Sequence, residues 1–473
     1  MNMSPALQVF LEGLQRDIAE LRAENASLKQ EVADLKRRLG SDSSNSSKPP
    51  SSDGLGRKPR IAGSLRGKSG KASGGQPGHK GDTLRAVSDP DQVVHHEAFH
   101  CVHCQAKLSS VMITDTEKRQ VFDIPVPRLE VTEHQASLYT CAGCHGVTKA
   151  AFPEDVRSHV QYGPRIRAAA VYLSAQQLIP EDRVGDIMSD LFGAKLLCPA
   201  SIVAWSEKKA SGLKALAEDI AALVAQAPVR NLDETGFRIA GVTQWLHTAS
   251  TPDLTHYRVS SRRGEMLTDL RGGVIVHDHF SPYFQIPDVL HSLCNAHHLR
   301  ELKALIDIDK ELWAQNMSNL LTWAAKAVRR VRTQGESRLD EQILKSFDER
   351  YDALTAEGIV LHEHLPPLAR PHPLRGRQAK RPGHNLAIRL RAFKTDVLRF
   401  LYNFDVPFTN NLAEQDIRMM KVKMKISGSF RTMQGAKTFA TIRSVLSTAK
   451  KQGWNMLETL TAPVAKLRAA LAA

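Results

Sequence analysis

Three acidic residues of this sequence, Asp233, Asp278 and Glu414, stand in surroundings that suit a metal-dependent active site. Both aspartates follow short apolar runs typical of buried strands, and the glutamate begins a polar, helix-prone segment. Three carboxylates can hold two Mg²⁺ ions roughly 3.5–4 Å apart, which stabilise the attacking and leaving oxygens when phosphodiester bonds are cut or joined. The chain has 50 acidic residues, and an aspartate at a strand end is usually a solvated cap. Residue type alone therefore does not show that these three acids are catalytic.

The elements that would position these acids lie within residues 228–455. In chain order, the pattern predicts three strands, a helix and a further strand: a run ending at Asp233, then 243–248, 254–259, 264–270 and 274–276. This order is typical of an RNase H-like α/β catalytic domain, in which adjacent parallel strands bring Asp233 and Asp278 together. A helical insertion of about 296–400 then precedes Glu414.

Four further residues are candidates for catalytic support. His297 and Arg300 are three residues apart on one face of a predicted helix, from which they could approach a scissile phosphate or simply face solvent. Asn410 and Arg418 stand four residues on either side of the glutamate, although Arg418 could be no more than its i,i+4 ion-pair partner. Residues 410–455 hold nine Lys or Arg and two acids, which suits a metal ligand facing a DNA backbone.

The size and charge of the chain narrow its class. A length of 473 residues predicts about three domains. The net charge of +14, with 64 Lys and Arg, favours a nucleic-acid partner over an inert basic surface. No apolar run approaches the roughly 20 residues of a membrane span, and the N-terminus lacks a signal-peptide pattern, so we expect a cytoplasmic protein without membrane contact.

Residues 1–40 carry a leucine-zipper pattern of five heptads. The d positions are leucines, with aliphatic residues and one asparagine at the a positions, and the core of the predicted dimer interface is Leu14, Leu21, Asn25, Leu28 and Leu35. A buried Asn favours an in-register parallel dimer, and three g-to-e' charge pairs such as Glu24 with Lys29 attract. The pattern therefore predicts a homodimer through a coiled coil, although a single amphipathic helix packed on its own domain remains the alternative.

A basic linker and a cysteine module follow the zipper. Residues 41–90 are rich in Ser, Pro and Gly and predict a disordered basic linker, which could contact DNA phosphates or be merely solvated. Within 91–160, two Cys-x-x-Cys pairs predict one structural Zn²⁺ ion in a zinc-ribbon module with strands near 120–124 and 138–140; its ligands would be Cys101, Cys104, Cys141 and Cys144. The unpaired Cys198 and Cys294 are interpreted as ordinary buried thiols.

Residues 161–227 predict a helical segment that could grip DNA. A helix at 183–191 is followed by a turn containing Gly193 and Pro199, and Ser201 is placed to cap a second helix. This arrangement resembles a loose helix-turn-helix, although paired helices are common in any α domain. Residues 456–473 predict a C-terminal helix. The expected fold class is thus multidomain α+β: coiled coil, zinc ribbon, helical DNA-binding segment and RNase H-like catalytic domain with a helical insertion.

In their order, these motifs resemble those of the IS66 family of bacterial insertion-sequence transposases, members of the DDE class. The shared features are the zipper, Ser-Ser-Lys-Pro-Pro-Ser-Ser-Asp at 46–53, Gly-Gly-Gln-Pro-Gly-His at 74–79, the cysteine pairs, Asp-Glu-Thr at 233–235, Asp278 before Ser281-Pro-Tyr283, the Cys294/His297/Arg300 group, and Asn410-Asn-Leu-Ala-Glu-x-x-x-Arg418. The resemblance implies that Asp233, Asp278 and Glu414 bind the catalytic metals. It also implies small accessory proteins encoded by the same element. His277 and His279, which flank Asp278, depart from the family pattern.

These features lead to the hypothesis of a DNA transposase. The dimer would bind terminal inverted repeats, and the Mg²⁺-dependent triad would release a 3′-hydroxyl and join it to target DNA. One alternative is a zipper-dimerised, zinc-containing DNA-binding regulator without catalysis, in which Asp233→Ala would leave all biological activity intact. Another is a structure-specific nuclease without strand transfer, which pre-cleaved ends would distinguish.

Overall fold

The computed structural model describes most of the chain beyond the N-terminal region. The described residues are 13–35 except 23, 26, 27, 30, 33 and 34, then 83–366 except 109, 111, 196 and 266–268, and finally 380–472. The described residues of 13–35 are helical, and the predicted dimer-interface residues among them are exposed, with Leu21 at 63 % and Leu28 at 55 %. Most of the predicted linker, 41–82, lies outside the described residues.

The cysteine module contains a short antiparallel hairpin of β1 (Leu138–Thr140) and β2 (Val147–Lys149). The strand predicted near 120–124 is wrong, because those residues form no strand, and Val121 and Ile124 are among the most exposed apolar side chains. Alternation of apolar and polar residues creates a strand only where a second element covers the apolar face. The described part of this module offers no such cover.

Helices α1 (Pro164–Val171), α2 (Glu181–Phe192) and α3 (Pro199–Gln226) form the segment that follows. Gly193 ends α2 in the left-handed conformation at φ 68°. Helix α3 begins at Pro199 with Cys198 as its N-cap, so the prediction that Ser201 caps it is wrong. Proline suits the first helical turn because its missing N–H would have no partner there.

A mixed five-stranded sheet forms the centre of the molecule. Its strands are β3 (Val229–Ile239), β4 (Val242–Ser250), β5 (Thr255–Ser260), β6 (Val274–His277) and β7 (Leu290–Leu293). The spatial order is β5-β4-β3-β6-β7. The pairs β3–β4 and β4–β5 are antiparallel, and the pairs β3–β6 and β6–β7 are parallel. The described residues of 264–270, which are 264, 265, 269 and 270, are not helical, in contrast to the predicted helix. A mixed sheet among many helices makes this an α+β protein.

Strand β3 continues well past Asp233, which corrects the prediction that a strand ends there. The polar run Asp-Glu-Thr-Gly suggests a strand end, yet Phe237 and Ile239 beyond it are buried and pack in the main core. Their alternation with Gly236 and the exposed Arg238 is the pattern of a half-buried strand, so pairing with β4 continues to Ile239. The aspartate therefore lies in mid-strand.

The described residues between β7 and the segment that carries Glu414 form five α-helices: α4 (Asn295–Ala304), α5 (Leu312–Thr333), α6 (Glu341–Glu363), α7 (Pro382–Ala392) and α8 (Lys394–Tyr402). They form a second core around Trp313, Tyr351 and Phe400 that shares Val274 and Val276 with the sheet. This layer lets a long insertion follow the sheet without interrupting its hydrogen bonding.

Four helices complete the chain: α9 (Asn411–Ile426), α10 (Met433–Lys451), α11 (Met456–Thr461) and α12 (Val464–Ala472). Helix α10 packs on β5 and α3, with almost every residue of 436–449 buried. Two helices occupy the stretch predicted as one C-terminal helix, because Pro463 cannot donate a backbone hydrogen bond and disfavours helix in the residue before it.

Buried histidines make the stability of this fold depend on pH. His247 on β4 is 2 % exposed and lies 2.9 Å from the Ser260 hydroxyl, and burial lowers its pKa to about 4. The unfolded chain therefore binds this proton first, so the stabilising contribution is complete above about pH 6.5 and is lost as the pH falls towards 4. We expect about 1–2 kcal/mol of the loss in unfolding free energy between pH 7 and 5 to come from His247.

Urea denaturation at both pH values, with His247→Gln, measures this contribution. The variant should be less pH-dependent than the wild type by that amount. His364→Gln, at an exposed position, is the matched control. An unchanged pH dependence in His247→Gln would contradict the assignment.

Candidate active site

The register of the sheet brings Asp233 and Asp278 to the same level. Asn231 pairs with Val276 across the parallel strands β3 and β6, and each aspartate stands two residues further along its strand direction. Residues two apart on a strand share a face, and neighbouring strands lie about 4.8 Å apart. The register therefore brings Asp233 level with Asp278, which directly follows the last residue of β6.

Asn410 fixes the start of α9 against this point of the sheet. Its amide donates to the carbonyl oxygen of Leu232 at 2.7 Å, and its side-chain oxygen accepts from Asn231 at 2.9 Å. The residue is only 2 % exposed and lies at the N-cap of the helix. Asn410 thus joins the residues directly before Asp233 to the turn that carries Glu414, and it acts as a positioning residue.

Glu414 lies in the first turn of α9 and faces the N-terminal part of α4. Its Oε1 is 4.0 Å from Nδ1 of His297 and 3.9 Å from Sγ of Cys294, and its Oε2 is 3.9 Å from a guanidinium nitrogen of Arg300. The predicted support residues His297 and Arg300 therefore meet at the glutamate. Asp278, Cys294 and His297 also line one pocket.

The electrostatics of the acidic cluster favour a bound cation. Burial raises the pKa of Asp233 well above its usual value, and repulsion from Glu234, Glu414 and Asp278 raises it further. Burial beside Arg300 lowers the pKa of His297, so its imidazole is neutral and able to ligate. Gathering carboxylates in a buried place costs free energy that divalent ions would offset, and oxygen donors suit Mg²⁺.

Glu234 is a member of this cluster that the sequence reasoning missed. Its side chain is 2 % exposed and accepts a hydrogen bond from the Tyr283 hydroxyl. It also accepts two hydrogen bonds from the Arg263 guanidinium, at 2.7 Å and 2.9 Å. The guanidinium of Arg263 also stacks over Phe280 at 3.9 Å. Burial raises the pKa of Glu234, although the Tyr283 hydrogen bond counters the shift. The sequence did contain a signal for this role, because a second acid directly follows Asp233 in a strand that is buried on both faces.

The other residues of α9 separate into structural and exposed groups. Asp416 accepts from Ser250 at 2.6 Å and from Lys451 at 2.7 Å, which ties α9 to β4 and α10 and leaves Asp416 committed to packing. Arg418 is exposed and makes no ion pair with Glu414 within the described part of the chain, so the alternative of an i,i+4 bridge does not hold. Glu414 is the acid of this helix that faces the site.

The four cysteines of the module form two knuckles of the same geometry. The amide of Gln105 donates to the Cys101 carbonyl at 2.9 Å, and that of His145 donates to the Cys141 carbonyl at 2.8 Å. Amide hydrogen bonds from Cys104 and Cys144 lower the pKa of the Cys101 and Cys141 thiols, as suits metal-binding thiolates. The two knuckles do not converge: among described residues, Cys294, His297 and Glu414 are the one group of three ligand atoms within 4.8 Å.

The unpaired thiols differ from one another. Cys294 is 1 % exposed, as expected, and burial raises its pKa to about 12. Cys198 is exposed, so its interpretation as a buried thiol is wrong.

No helix among the described residues is both long and apolar enough to cross a membrane.

Comparison with known proteins adds an independent finding. Residues 159–438, more than half of the chain, match the sequence model described as the transposase IS66 family. Residues 3–85 match a family of unknown function (DUF6444). No curated protein and no solved structure matches the chain. The first match includes Asp233, Asp278 and Glu414, and the second spans the heptads.

Proposed function

Because the chain belongs to the IS66 family of transposases, we propose that it cuts the ends of its insertion sequence and joins them to target DNA. The observation that carries this proposal is the register of β3 and β6, which brings Asp233 level with Asp278, together with the repulsion by which Asp278 and Glu414 raise the pKa of Asp233. The strand order supports an RNase H-like catalytic domain of the DDE class, with Asp233 on the first strand of the sheet in chain order, β3, and Asp278 directly after the fourth, β6.

The carboxylates of Asp233, Asp278 and Glu414 would hold two Mg²⁺ ions. Bound there, the ions would polarise the scissile phosphate and stabilise the attacking and leaving oxygens. The buried, mutually repelling carboxylates fit this role, since a cation removes the repulsion that raises the pKa of Asp233. Arg300, half-exposed beside Glu414, would orient the glutamate and contact a phosphate oxygen of the DNA.

DNA binding would draw on the strong positive charge of the chain. A net charge of +14 supports contact with the phosphate backbone along the catalytic domain and the predicted linker. The two helices α2 and α3, joined around Gly193, are candidates for a helix-turn-helix that reads the terminal repeats. Accessory proteins of the same element remain an expectation from the family resemblance.

The cysteine module would hold one structural Zn²⁺ ion. The matching geometry of its knuckles supports this role, with the two knuckles drawn together by the ion. Metal analysis of the purified chain tests it: the module should contribute about one zinc per chain, and the zinc content should fall by that amount when Cys101 and Cys141 are replaced by Ser.

The N-terminal helix would form a parallel homodimer. Its exposed leucines support this role, because burying them needs a partner. We expect the double variant Leu21→Asp with Leu28→Asp to be monomeric. Each buried leucine contributes about 2–5 kcal/mol, so the dissociation constant should rise at least about 30-fold. Sedimentation over a dilution series measures it, with Ala19→Asp on the outer face as control; a variant that dimerises like the wild type would contradict the zipper.

A strand-transfer assay separates the proposed function from its alternatives. The full-length protein is incubated with Mg²⁺, target DNA and pre-cleaved inverted-repeat ends that carry a 3′-hydroxyl. Joined products support a transposase. Cleavage of intact ends without joining favours the structure-specific nuclease, and binding without either product favours the regulator.

A further inference from the structure

We propose that Cys294, His297 and Glu414 form a binding site for a thiophilic transition-metal ion of the Zn²⁺ class, and that this ion competes with magnesium for Glu414. The binding site stands on the positions of the three side chains. The competition rests in addition on the proposed function, which gives Glu414 to magnesium.

Two helices present the three ligand atoms. Cys294 is the N-cap of α4, His297 follows in its first turn, and Glu414 lies in the first turn of α9. Sγ, an imidazole nitrogen and a carboxylate oxygen lie within 4.8 Å of one another, with Oε1 3.9 Å from Sγ and 4.0 Å from Nδ1. Tetrahedral zinc bonds of about 2.0–2.3 Å separate ligand atoms by about 3.4–3.6 Å. Small side-chain movements would therefore close the site.

Two further observations point to a ligand at this place. Nδ1 of His297 is buried and has no hydrogen-bond partner, a cost that a metal bond would remove. Sγ of Cys294 accepts the backbone N–H of Asn410 at 3.1 Å at a helix N-terminus, which counters the burial that raises the pKa of this thiol, and metal binding would release the thiol proton. The imidazole nitrogen is thus available before any ion binds, and the thiol loses its proton as it binds one.

The donor set selects the class of ion. A thiolate, an imidazole and one carboxylate suit Zn²⁺, Cd²⁺ or Co²⁺, whereas Mg²⁺ requires oxygen ligands. The two carboxylate oxygens face different neighbours, since Oε1 faces Cys294 and His297 while Oε2 faces Arg300. An ion held on Oε1 by sulfur and nitrogen would withdraw Glu414 from Asp233 and Asp278. Zinc should therefore inhibit the magnesium-dependent reaction.

Cadmium binding tests the site directly. The full-length chain is titrated with Cd²⁺ in a background that lacks the module thiols, namely Cys101, Cys104, Cys141 and Cys144 all replaced by Ser, and thiolate-to-cadmium absorbance is recorded. We expect one tight equivalent in this background and its loss in Cys294→Ser. His297→Ala should weaken binding at least about 100-fold, since even indirect partners of a metal site contribute 10- to 100-fold. Cys198→Ser, which removes an exposed thiol, is the matched control and should bind normally.

Undiminished cadmium binding in the folded Cys294→Ser or His297→Ala variant overturns the site, and His297→Ala decides alone if Cys294→Ser does not fold. Zinc inhibition is then measured for each variant against its own zinc-free rate. Cys294→Ser should raise the zinc concentration for half-inhibition at least about 100-fold; equal inhibition overturns the competition. If no protein cleaves DNA, the proposed function fails while the cadmium result stands.

Discussion

Asp233→Asn, Asp278→Asn and Glu414→Gln should each reduce magnesium-dependent cleavage of the element's ends by at least about 1000-fold, since metal-ion stabilisation of the reacting oxygens contributes several kcal/mol and about 1.4 kcal/mol is a factor of ten. The amides keep the shape of the acids and remove the charge that holds the ions. Single-turnover cleavage with saturating protein measures the chemical step separately from DNA binding.

Thermal unfolding of the same variants gives a readout that is independent of DNA. Without divalent ions, Asp233→Asn should be at least as stable as the wild type. The neutral amide avoids the cost of burying a charge and the repulsion from neighbouring acids, which together raise the pKa of Asp233. Adding Mg²⁺ should stabilise the wild type, since ligands that bind only the folded state raise its stability, and should leave the variant unchanged.

Asp288→Asn is the matched control for these experiments. Asp288 is an exposed acid in the loop before β7, at φ 57°, a conformation that asparagine adopts readily. It should cleave DNA and respond to Mg²⁺ like the wild type. A Glu414→Gln protein with wild-type rate would remove the glutamate from the metal site and contradict the three-carboxylate assignment.

The alternation of apolar and polar residues was enough to predict the strand around 243–248, which lies within β4, and the strand around 254–259, which matches β5 to within one residue at each end. The pattern was also enough to associate Asp233 and Asp278 with neighbouring parallel strands. Few sheet topologies accommodate three consecutive strands followed by a helix or turn and a fourth strand. The alternation gives a wrong prediction where a strand would need another element to cover its apolar face. Residues 120–124 alternate, but their apolar side chains are exposed and these residues form no strand.

Long-range side-chain partners could not be read from the sequence. The spacing of Asn410, Glu414 and Arg418 predicts one helix face, yet only the first two face the site, because the sheet lies along one side of α9 and Arg418 points to solvent. The role of Glu234 depends on Tyr283 and Arg263, which are 49 and 29 residues away from it in the chain. Local patterns identify candidate ligands, and packing determines which of them meet.

Asn410→Ala should lower both the unfolding free energy and the cleavage rate, although Asn410 holds no metal in the proposed mechanism. The mutation leaves the Leu232 carbonyl and the Asn231 amide buried without partners, which costs about 2–4 kcal/mol in total. Helix α9 also loses its attachment beside Asp233, and a displacement of Glu414 by about 1 Å can slow the reaction roughly 100-fold. Cleavage is therefore measured below the unfolding transition of the variant.

The magnesium dependence of Asn410→Ala distinguishes positioning from a general loss of structure. A displaced Glu414 weakens the hold on the metal, so higher Mg²⁺ should restore part of the rate in Asn410→Ala, whereas a merely less stable protein would show the wild-type magnesium dependence. Asn411→Ala is the matched control, because this neighbouring asparagine is exposed at the first position of α9. It should retain wild-type stability, rate and magnesium dependence, since its side chain does not attach the helix to the sheet.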